Sequence, residues 1–434
     1  MYKKGMNGVR INTAYGNIEQ YAKIIENTRE IADIPVIFDI KGPEIRLKTK
    51  KKIHVKQGDI IQVGFNDEEI SFNHNFYNQM QVSDKISIDN GKIKTQVIKI
   101  DNQKLYLSVI SEGEISDGKG VNMPNKQLSL PSLSQKDKDL ISFATKNRLE
   151  FIALSFTRTS EDIKKLKHML HTFKSGVLAK IENFEGLKNF EEILENADGI
   201  IIARGGLGVE IKPERVPTVQ KQIIRLCNQK GKMVVTATEM LESMIYQQMP
   251  TRAEVSDVAN AILDGTDSVM LSGETSIGAY PIEAVCMMSR IAKENDLLVK
   301  NQVEDNKFIN ISDTISKAIQ KLCQSMPVDK IVTLTRSGYT AGMISRLKLS
   351  PQIIAVTFNG KVKKQLELVY NVYPIKLDYH LQTDRILSVT RKLLDLNLLS
   401  KNNVVIFTAA SQTTKAHASN LIEVHTIEDL LNAK

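Results

Sequence analysis

One arrangement recurs along this chain: a short, wholly apolar run that ends in a cluster of polar residues, with helix-period sequence before the next run. Gly176-Val-Leu-Ala179 leads to Lys180-Ile-Glu-Asn183, and Gly199-Ile-Ile-Ile202 to Ala203-Arg-Gly-Gly-Leu-Gly208. Met233-Val-Val235 leads to Thr236-Ala-Thr238, and Ser268-Val-Met-Leu271 to Ser272-Gly-Glu-Thr275. Earlier, Phe151-Ile-Ala-Leu154 precedes Ser155-Phe-Thr-Arg158, Pro35-Val-Ile-Phe38 precedes Asp39-Ile-Lys-Gly42, and Val9-Arg-Ile-Asn12 is a seventh candidate. Strands closed by polar clusters and separated by helices predict a TIM-type (β/α)8 barrel whose active site lies on one rim. Closure needs eight parallel strands, because strand number, tilt and shear are linked. The eighth would precede Met1, so the chain reads as starting late by about one βα unit. The alternative, a seven-stranded barrel, leaves an edge that something must cover.

After Arg46 the pattern changes to period two: Ile53-His-Val55, Asp59-Ile-Ile-Gln-Val63, Lys85-Ile-Ser-Ile88, Lys92-Ile-Lys-Thr-Gln-Val-Ile98 and Leu105-Tyr-Leu-Ser-Val109. Asp89-Asn-Gly91 and Asp117-Gly118 are turn signals between such strands. Residues 47–124 are therefore expected to form a small β-barrel lid carried on one loop of the barrel, which takes residues 1–46 and 125–300. Asn301-Gln-Val-Glu-Asp-Asn-Lys307 reads as a linker. Beyond it, Lys330-Ile-Val-Thr-Leu334, Gln352-Ile-Ile-Ala-Val356, Val372-Tyr-Pro-Ile375 and Val404-Val-Ile-Phe407 alternate with helical stretches. That pattern predicts a separate open α/β domain over 308–434.

Length supports this division, since 434 residues with 42% hydrophobic content can bury several cores. The net charge of +8 suits anionic ligands such as phosphates and equally suits solvated surface charge. The lysines are scattered and no nucleic-acid motif is present, so nucleic acid is not expected as a partner. Lys48-Thr-Lys-Lys-Lys52 reads as a solvated linker. Cys227, Cys286 and Cys323 lie far apart with no CxxC, which favours a reduced, cytoplasmic setting. No apolar run is long enough to span a bilayer, so no membrane role is expected.

Seven segments stand in order along the chain: Gly5-Met-Asn-Gly-Val-Arg-Ile-Asn12, Asp39-Ile-Lys-Gly-Pro-Glu-Ile-Arg46, Lys119-Gly-Val-Asn122, Lys180-Ile-Glu-Asn183, Ala203-Arg-Gly-Gly-Leu-Gly-Val-Glu-Ile211, Thr238-Glu-Met-Leu-Glu-Ser-Met244 and Thr251-Arg-Ala-Glu-Val-Ser-Asp-Val-Ala-Asn260. On these segments the chain resembles the pyruvate kinase family over nearly its whole length. The resemblance implies phosphoryl transfer from phosphoenolpyruvate to ADP, giving pyruvate and ATP, with Mg2+ or Mn2+, by a homotetramer. By the same resemblance Lys180 is the cation beside the transferring group, Arg10 holds the substrate phosphate, and Arg46 and Lys119 reach the nucleotide phosphates, with Asn12 near them. Lys180 and Glu182 are two residues apart, so an extended segment points both the same way, and a hard cation wants such an oxygen. Backbone N–H groups of Gly205 and Gly206 would bind the substrate carboxylate, and Thr238 would stand near the enolate carbon. Thr251-Arg-Ala-Glu254 is a capping box, hence helix architecture.

The chain also departs from the family. The family's turn reads Ala-Arg-Gly-Asp-Leu-Gly, and its aspartate is the second protein ligand of the metal; here that position is Gly206. The family's Asn-x-Ser reads Asn12-Thr-Ala14, its Asp-Thr reads Asp39-Ile40, and Tyr15 stands where histidine is common. Asn12, Asp39 and the carbonyl of Ile40 remain as candidate K+ ligands, so potassium dependence stays open. Thr335-Arg-Ser-Gly-Tyr-Thr340 resembles the effector-phosphate turn, which would use Thr335, Arg336, Ser337, Gly338 and Thr340. Ala409-Ala-Ser-Gln412 lacks the glycines usual in the second effector loop. The rival reading is a catalytically impaired homologue that binds phosphometabolites or serves as a partner subunit.

Overall fold

Every apolar run with a polar end is a strand. In the computed structural model these are β1 (Val9–Asn12), β2 (Val36–Ile40), β3 (Phe151–Leu154), β4 (Gly176–Ile181), β5 (Gly199–Ala203), β6 (Met233–Ala237) and β7 (Ser268–Met270). The structure describes residues 1–66, 68–89, 91–124, 126–301, 303, 310–379, 384–410 and 419–432. The seven strands pair side by side in chain order, and all neighbours are parallel.

Alternation along these strands decides what faces inward. Phe38 and Ile40 of β2, Ile152 and Leu154 of β3, and Ala179 and Ile181 of β4 join the core shared with the surrounding helices. Ile37, Ala153, Leu178, Ile201 and Val235 form a second cluster, the barrel interior. Arg10, Asp39 and Lys180 share parity with that interior set, so the sheet aims them into the barrel rather than at the helices. Leu368, from the C-terminal part of the chain, belongs to the interior cluster too, and stoppers the barrel at the end away from the polar clusters.

The lid is a sheet of Val121–Asn122, Lys85–Ile88, Ile93–Asp101, Lys104–Val109, Ile60–Gly64, Ile70–Phe72 and Leu47–Thr49, in that spatial order. Its two edge strands meet, with Leu47 N–H donating to Lys119 O and Val121 N–H to Ile45 O, both at 2.9 Å. The sheet thus closes into a small barrel. Phe65, Phe72 and Phe76 pack with tilted or edge-to-face rings at centroid distances of 4.9–5.3 Å in its core. The Lys48 stretch is partly strand rather than linker, because Leu47 is fully buried and pulls Lys48 and Thr49 into the ladder.

The C-terminal part holds β8 (Lys330–Leu334), β9 (Gln352–Thr357), β10 (Val372–Lys376), β11 (Val404–Ala409) and β12 (Leu421–Thr426). Their order is β10-β9-β8-β11-β12. The last strand is antiparallel, an edge that the sequence reading did not include. Most of the proposed linker 301–307 lies outside the described residues. Cys227 is buried and all three cysteines are free thiols. Among the described residues no helix is long and apolar enough to cross a membrane.

Candidate active site

At the carboxyl ends of the barrel strands a buried network of charges forms around Asp39. Its Oδ2 accepts from Arg10 Nε at 2.9 Å and lies 3.2 Å from Lys180 Nζ, while Oδ1 accepts from Ser155 Oγ at 2.9 Å. Lys180 Nζ also donates to Ser155 Oγ at 2.6 Å and stands 3.5 Å from Glu182 Oε1. Asp39 is 2% exposed and Lys180 and Glu182 are 7% exposed, so these charges persist only because they answer one another. Burial opposes the Lys180 ammonium, yet Asp39 and Glu182 outweigh it and hold its pKa above the ordinary lysine value. Burial likewise opposes the Asp39 carboxylate, and Lys180 and Arg10 reverse the balance and lower its pKa. The outcome is a lysine kept fully charged at neutral pH.

Glu182 Oε1 accepts from Phe156 N–H at 2.8 Å. Its other oxygen carries no hydrogen bond among the described residues and is the one available to a cation. Gly206 begins beside it: a Cβ built there would lie 2.9 Å from Glu182 Cβ and 3.1 Å from Glu182 O. The backbone of the helix Arg204–Glu210 therefore lies closer to Glu182 than a side chain at 206 would permit without a shift. For a divalent metal one carboxylate with a free oxygen is in place, whereas no group of three or more acidic, histidine or cysteine side chains gathers anywhere among the described residues.

Thr238 follows β6 in a strained turn, with Thr238 and Glu239 both left-handed at φ 65° and 53°. Arg204 holds that turn shut: Nη2 donates to Thr238 O at 2.7 Å and Glu239 O at 2.8 Å, and Nη1 reaches Asp257 Oδ2 at 2.6 Å. Thr238 Oγ1 accepts from Gly205 N–H at 2.9 Å, so that amide already has a partner, unlike the free donor expected from the sequence. Sequence reasoning assigned no role to Ser155, Arg204 or Ser272. Ser272 Oγ, at the end of the last barrel strand, is buried without a hydrogen-bond partner among the described residues. The signal that could have found all three is their place in the polar clusters that close strands.

Asn12 Oδ1 accepts from Ala14 N–H at 3.1 Å and the Ile40 carbonyl accepts from Ser155 N–H at 3.0 Å, so both candidate K+ oxygens have one partner each. Arg46 and Lys119 stand together at the lid base, where residues 46 and 120 bridge. Arg46 Nη2 is 2.7 Å from Glu44, and Lys119 Nζ is 3.0 Å from Asp89. The lid rests on the helix that carries Gly206, through a buried bond from Asn122 Nδ2 to Glu210 Oε1 at 2.8 Å.

The residues of the effector-like turn lie in the C-terminal part and do not join this rim. Thr335 Oγ1 accepts from Gly338 N–H at 2.9 Å, Gly338 is left-handed at φ 84°, and Thr340 Oγ pairs with Ser419 Oγ at 2.8 Å. Ser337 is exposed, and Arg336 is exposed with no side-chain partner among the described residues. Of the second loop, Ser411 and Gln412 lie outside the described residues.

Comparison with known proteins converges on this geometry. A family model described as pyruvate kinase, barrel domain, matches residues 1–285, and one described as pyruvate kinase, alpha/beta domain, matches 313–425. The pyruvate kinase of Geobacillus stearothermophilus is 37% identical, covering 99% of this chain and 78% of its own length. That of Staphylococcus aureus strain MRSA252 is 38% identical, covering 98% and 77%. A crystal structure of a pyruvate kinase from Cryptosporidium parvum superposes with a TM-score of 0.90 at 32% identity, covering 98% of this chain and 92% of that one.

Proposed function

Because the chain belongs to the pyruvate kinase family, we propose that it transfers the phosphoryl group of phosphoenolpyruvate to ADP, yielding pyruvate and ATP. The observation that carries this reading is the buried Arg10, Asp39, Lys180 and Glu182 network at the strand ends. Phosphoryl transfer is catalysed mostly by positioning and by neutralising charge on the moving group. Lys180, fixed by Asp39 and Ser155 and held protonated, supplies that charge at a set position. Arg10, braced by the same Asp39, takes the substrate phosphate. Arg46 and Lys119 exchange Glu44 and Asp89 for the nucleotide phosphates when ADP arrives beneath the lid. Gly205 and Gly206 present amides toward the substrate carboxylate, Gly205 giving up its bond to Thr238, and the Arg204 clamp sets Thr238 beside the enolate carbon.

Glu182 would hold Mg2+ or Mn2+, and Asn12, Asp39 and the Ile40 carbonyl a monovalent cation. Bound there, the divalent ion would supply Lewis-acid neutralisation of the phosphate oxygens. The working division is a barrel of 1–46 and 125–300, a lid of 47–124 and a regulatory domain of 308–434 in which Thr335, Arg336, Ser337, Gly338 and Thr340 take an effector phosphate. A cytoplasmic homotetramer completes the proposal.

Gly206 favours a second reading, a weakened homologue that binds phosphometabolites or supports an intact partner subunit. Pyruvate formation by the purified chain, titrated with Mg2+ and Mn2+ with and without K+, separates the two. Turnover that rises late in the metal titration and disappears in Lys180→Met establishes the enzyme. No turnover at saturating metal, from a folded protein, establishes the second reading.

A further inference from the structure

Two arms join the lid to the barrel, one leaving β2 at residues 41–46 and one returning at 123–133. The outgoing arm is stitched to the lid itself: Asn73 Oδ1 accepts from Arg46 N–H and Asn73 Nδ2 donates to Glu44 O, each at 2.9 Å. The middle of the returning arm is held from the barrel. Arg158, which ends the polar cluster after β3, donates from Nη1 to Leu128 O at 2.9 Å and from Nη2 to Leu130 O at 2.8 Å. Among the described residues these are the hydrogen bonds that tie residues 126–130 to the barrel. On its other side the arm belongs to the lid: Leu128 is buried in the lid core, Leu130 packs against that core, and Gln79 Oε1 accepts from Ser129 N–H at 2.7 Å.

Arg158 is itself a fixed point. Its guanidinium is largely buried, Asp162 Oδ1 stands 3.7 Å from Nη2, and Nε has no hydrogen-bond partner among the described residues. The directed bonds of the group therefore go to the arm. The loop that carries it is anchored on the charged rim. Ser155 Oγ donates to Asp39, Phe156 N–H donates to Glu182 Oε1 at 2.8 Å, and Asn189 Nδ2 donates to the Arg158 carbonyl at 2.9 Å. Phe156 makes the turn in the left-handed region, at φ 51°. A planar guanidinium that spans two carbonyls fixes direction as well as distance. The arm is thereby held in register with the segment that braces Lys180 and Glu182. Lys119 stands two residues before the strand Val121–Asn122, from which the arm runs on, so the position of the arm is also the position of Lys119.

We propose, on the reading that Arg46 and Lys119 take the nucleotide phosphates, that Arg158 is a positioning residue for the nucleotide. It acts through the returning arm to set Lys119 over the rim, so its loss weakens ADP and spares phosphoenolpyruvate. The substrate phosphate belongs to Arg10 and Lys180, whose bonds to Asp39 and Ser155 do not pass through the arm. The loop's own backbone bonds, Arg158 N–H to Asp162 Oδ2 at 2.9 Å among them, survive a change of the Arg158 side chain.

The test is calorimetric titration of the full chain with ADP and, separately, with phosphoenolpyruvate, both with Mg2+ present, on the parent, Arg158→Met and Arg158→Lys. Lysine keeps the charge beside Asp162 and most of the stem but offers no planar fork, so it keeps the test decisive if the methionine variant fails to fold. Both variants should bind ADP about 10-fold more weakly, the worth of one charge-assisted phosphate contact, and phosphoenolpyruvate within about 3-fold of the parent. Lys119→Met gives a second readout, because a residue that acts through Lys119 has nothing to add once Lys119 is gone. Lys119→Met combined with Arg158→Lys should therefore bind ADP within about 2-fold of Lys119→Met alone. Variants that bind ADP as the parent does overturn the proposal. So does an equal loss of both ligands, which marks general damage to the rim, or a double variant whose losses add. A parent that binds no ADP up to about 10 mM removes the nucleotide assignment of Arg46 and Lys119, and the role of Arg158 with it.

Discussion

Gly206→Asp isolates what the missing carboxylate means, and Gly206→Ala is its control. Both add a Cβ 2.9 Å from Glu182 Cβ, an atom fixed to a buried segment and not the free end of a flexible side chain. Overpacking of this kind costs typically about 1–3 kcal/mol. Against it, replacing glycine within a helix returns about 0.5–1 kcal/mol of chain entropy. At mid-range the steric term is the larger, about 2 against about 0.75, so Gly206→Ala should be net destabilised by about 1 kcal/mol, equivalent to a fall of roughly 2–4 °C in Tm. Gly206→Asp carries the same contact and places a second negative charge beside Glu182, so without metal it should be no more stable than the alanine variant. With Mg2+ the two should separate. A second carboxylate that tightens binding about 10–100-fold stabilises the folded state by about 1.4–2.7 kcal/mol once metal saturates. The assay is thermal unfolding of parent, alanine and aspartate proteins across a Mg2+ series, with EDTA as the zero point. An alanine variant as stable as the parent would refute the packing argument. An aspartate variant whose Tm rises with Mg2+ no more than the parent's would refute the claim that a carboxylate is all the site lacks.

Asp39→Asn should lower stability by about 3–5 kcal/mol at neutral pH by stripping the counter-charge from buried Lys180 and half-buried Arg10. Since the folded pKa of Asp39 is depressed, its contribution is present above the ordinary carboxylate pKa of about 3.9 and lost as pH falls through the lower folded value. Urea titrations at a series of pH values should show the parent and variant converging only in that acid range; a gap that closes already near pH 6 would contradict it. Glu210→Gln should behave in the opposite sense, because burial raises the Glu210 pKa against the bond from Asn122. Its charged form costs stability as pH rises through the raised folded value, so the glutamine variant should unfold at higher temperature than the parent at pH 7 and lose that advantage near pH 4. Arg204→Lys cannot hold two carbonyls with a planar fork, and the left-handed pair at Thr238 and Glu239 should relax. Steady-state kinetics should show kcat falling about 10–100-fold with a smaller change in KM; a pure KM effect would mean that the clamp does not position Thr238.

Strand ends were legible because a buried strand has to be apolar until it reaches solvent, and because parity along β2 and β4 fixes the side on which Asp39 and Lys180 emerge. Structure at the two ends of the sequence signal was not. In the edge strand Leu421–Thr426 the apolar positions Leu421 and Ile422 are half-buried and Val424 is exposed, so nothing forces a strong alternation there. The lid strands Leu47–Thr49 and Ile70–Phe72, of three residues each, are too short to establish an alternation. Arg204 reads as one more cation until its guanidinium is seen on carbonyls 34 and 35 residues away.

Gly206 shows the limit most clearly. From sequence it is a subtraction, a site minus one carboxylate. In the folded chain the helix that would have borne the carboxylate lies against Glu182, because a backbone without Cβ can approach where a side chain cannot. That helix also carries Glu210, which receives the lid through Asn122. A side chain at 206 therefore presses on the helix that seats the lid as well as changing the ligand count. The alanine variant carries that pressure without the oxygen, so a difference between it and the aspartate variant in Mg2+ belongs to the carboxylate.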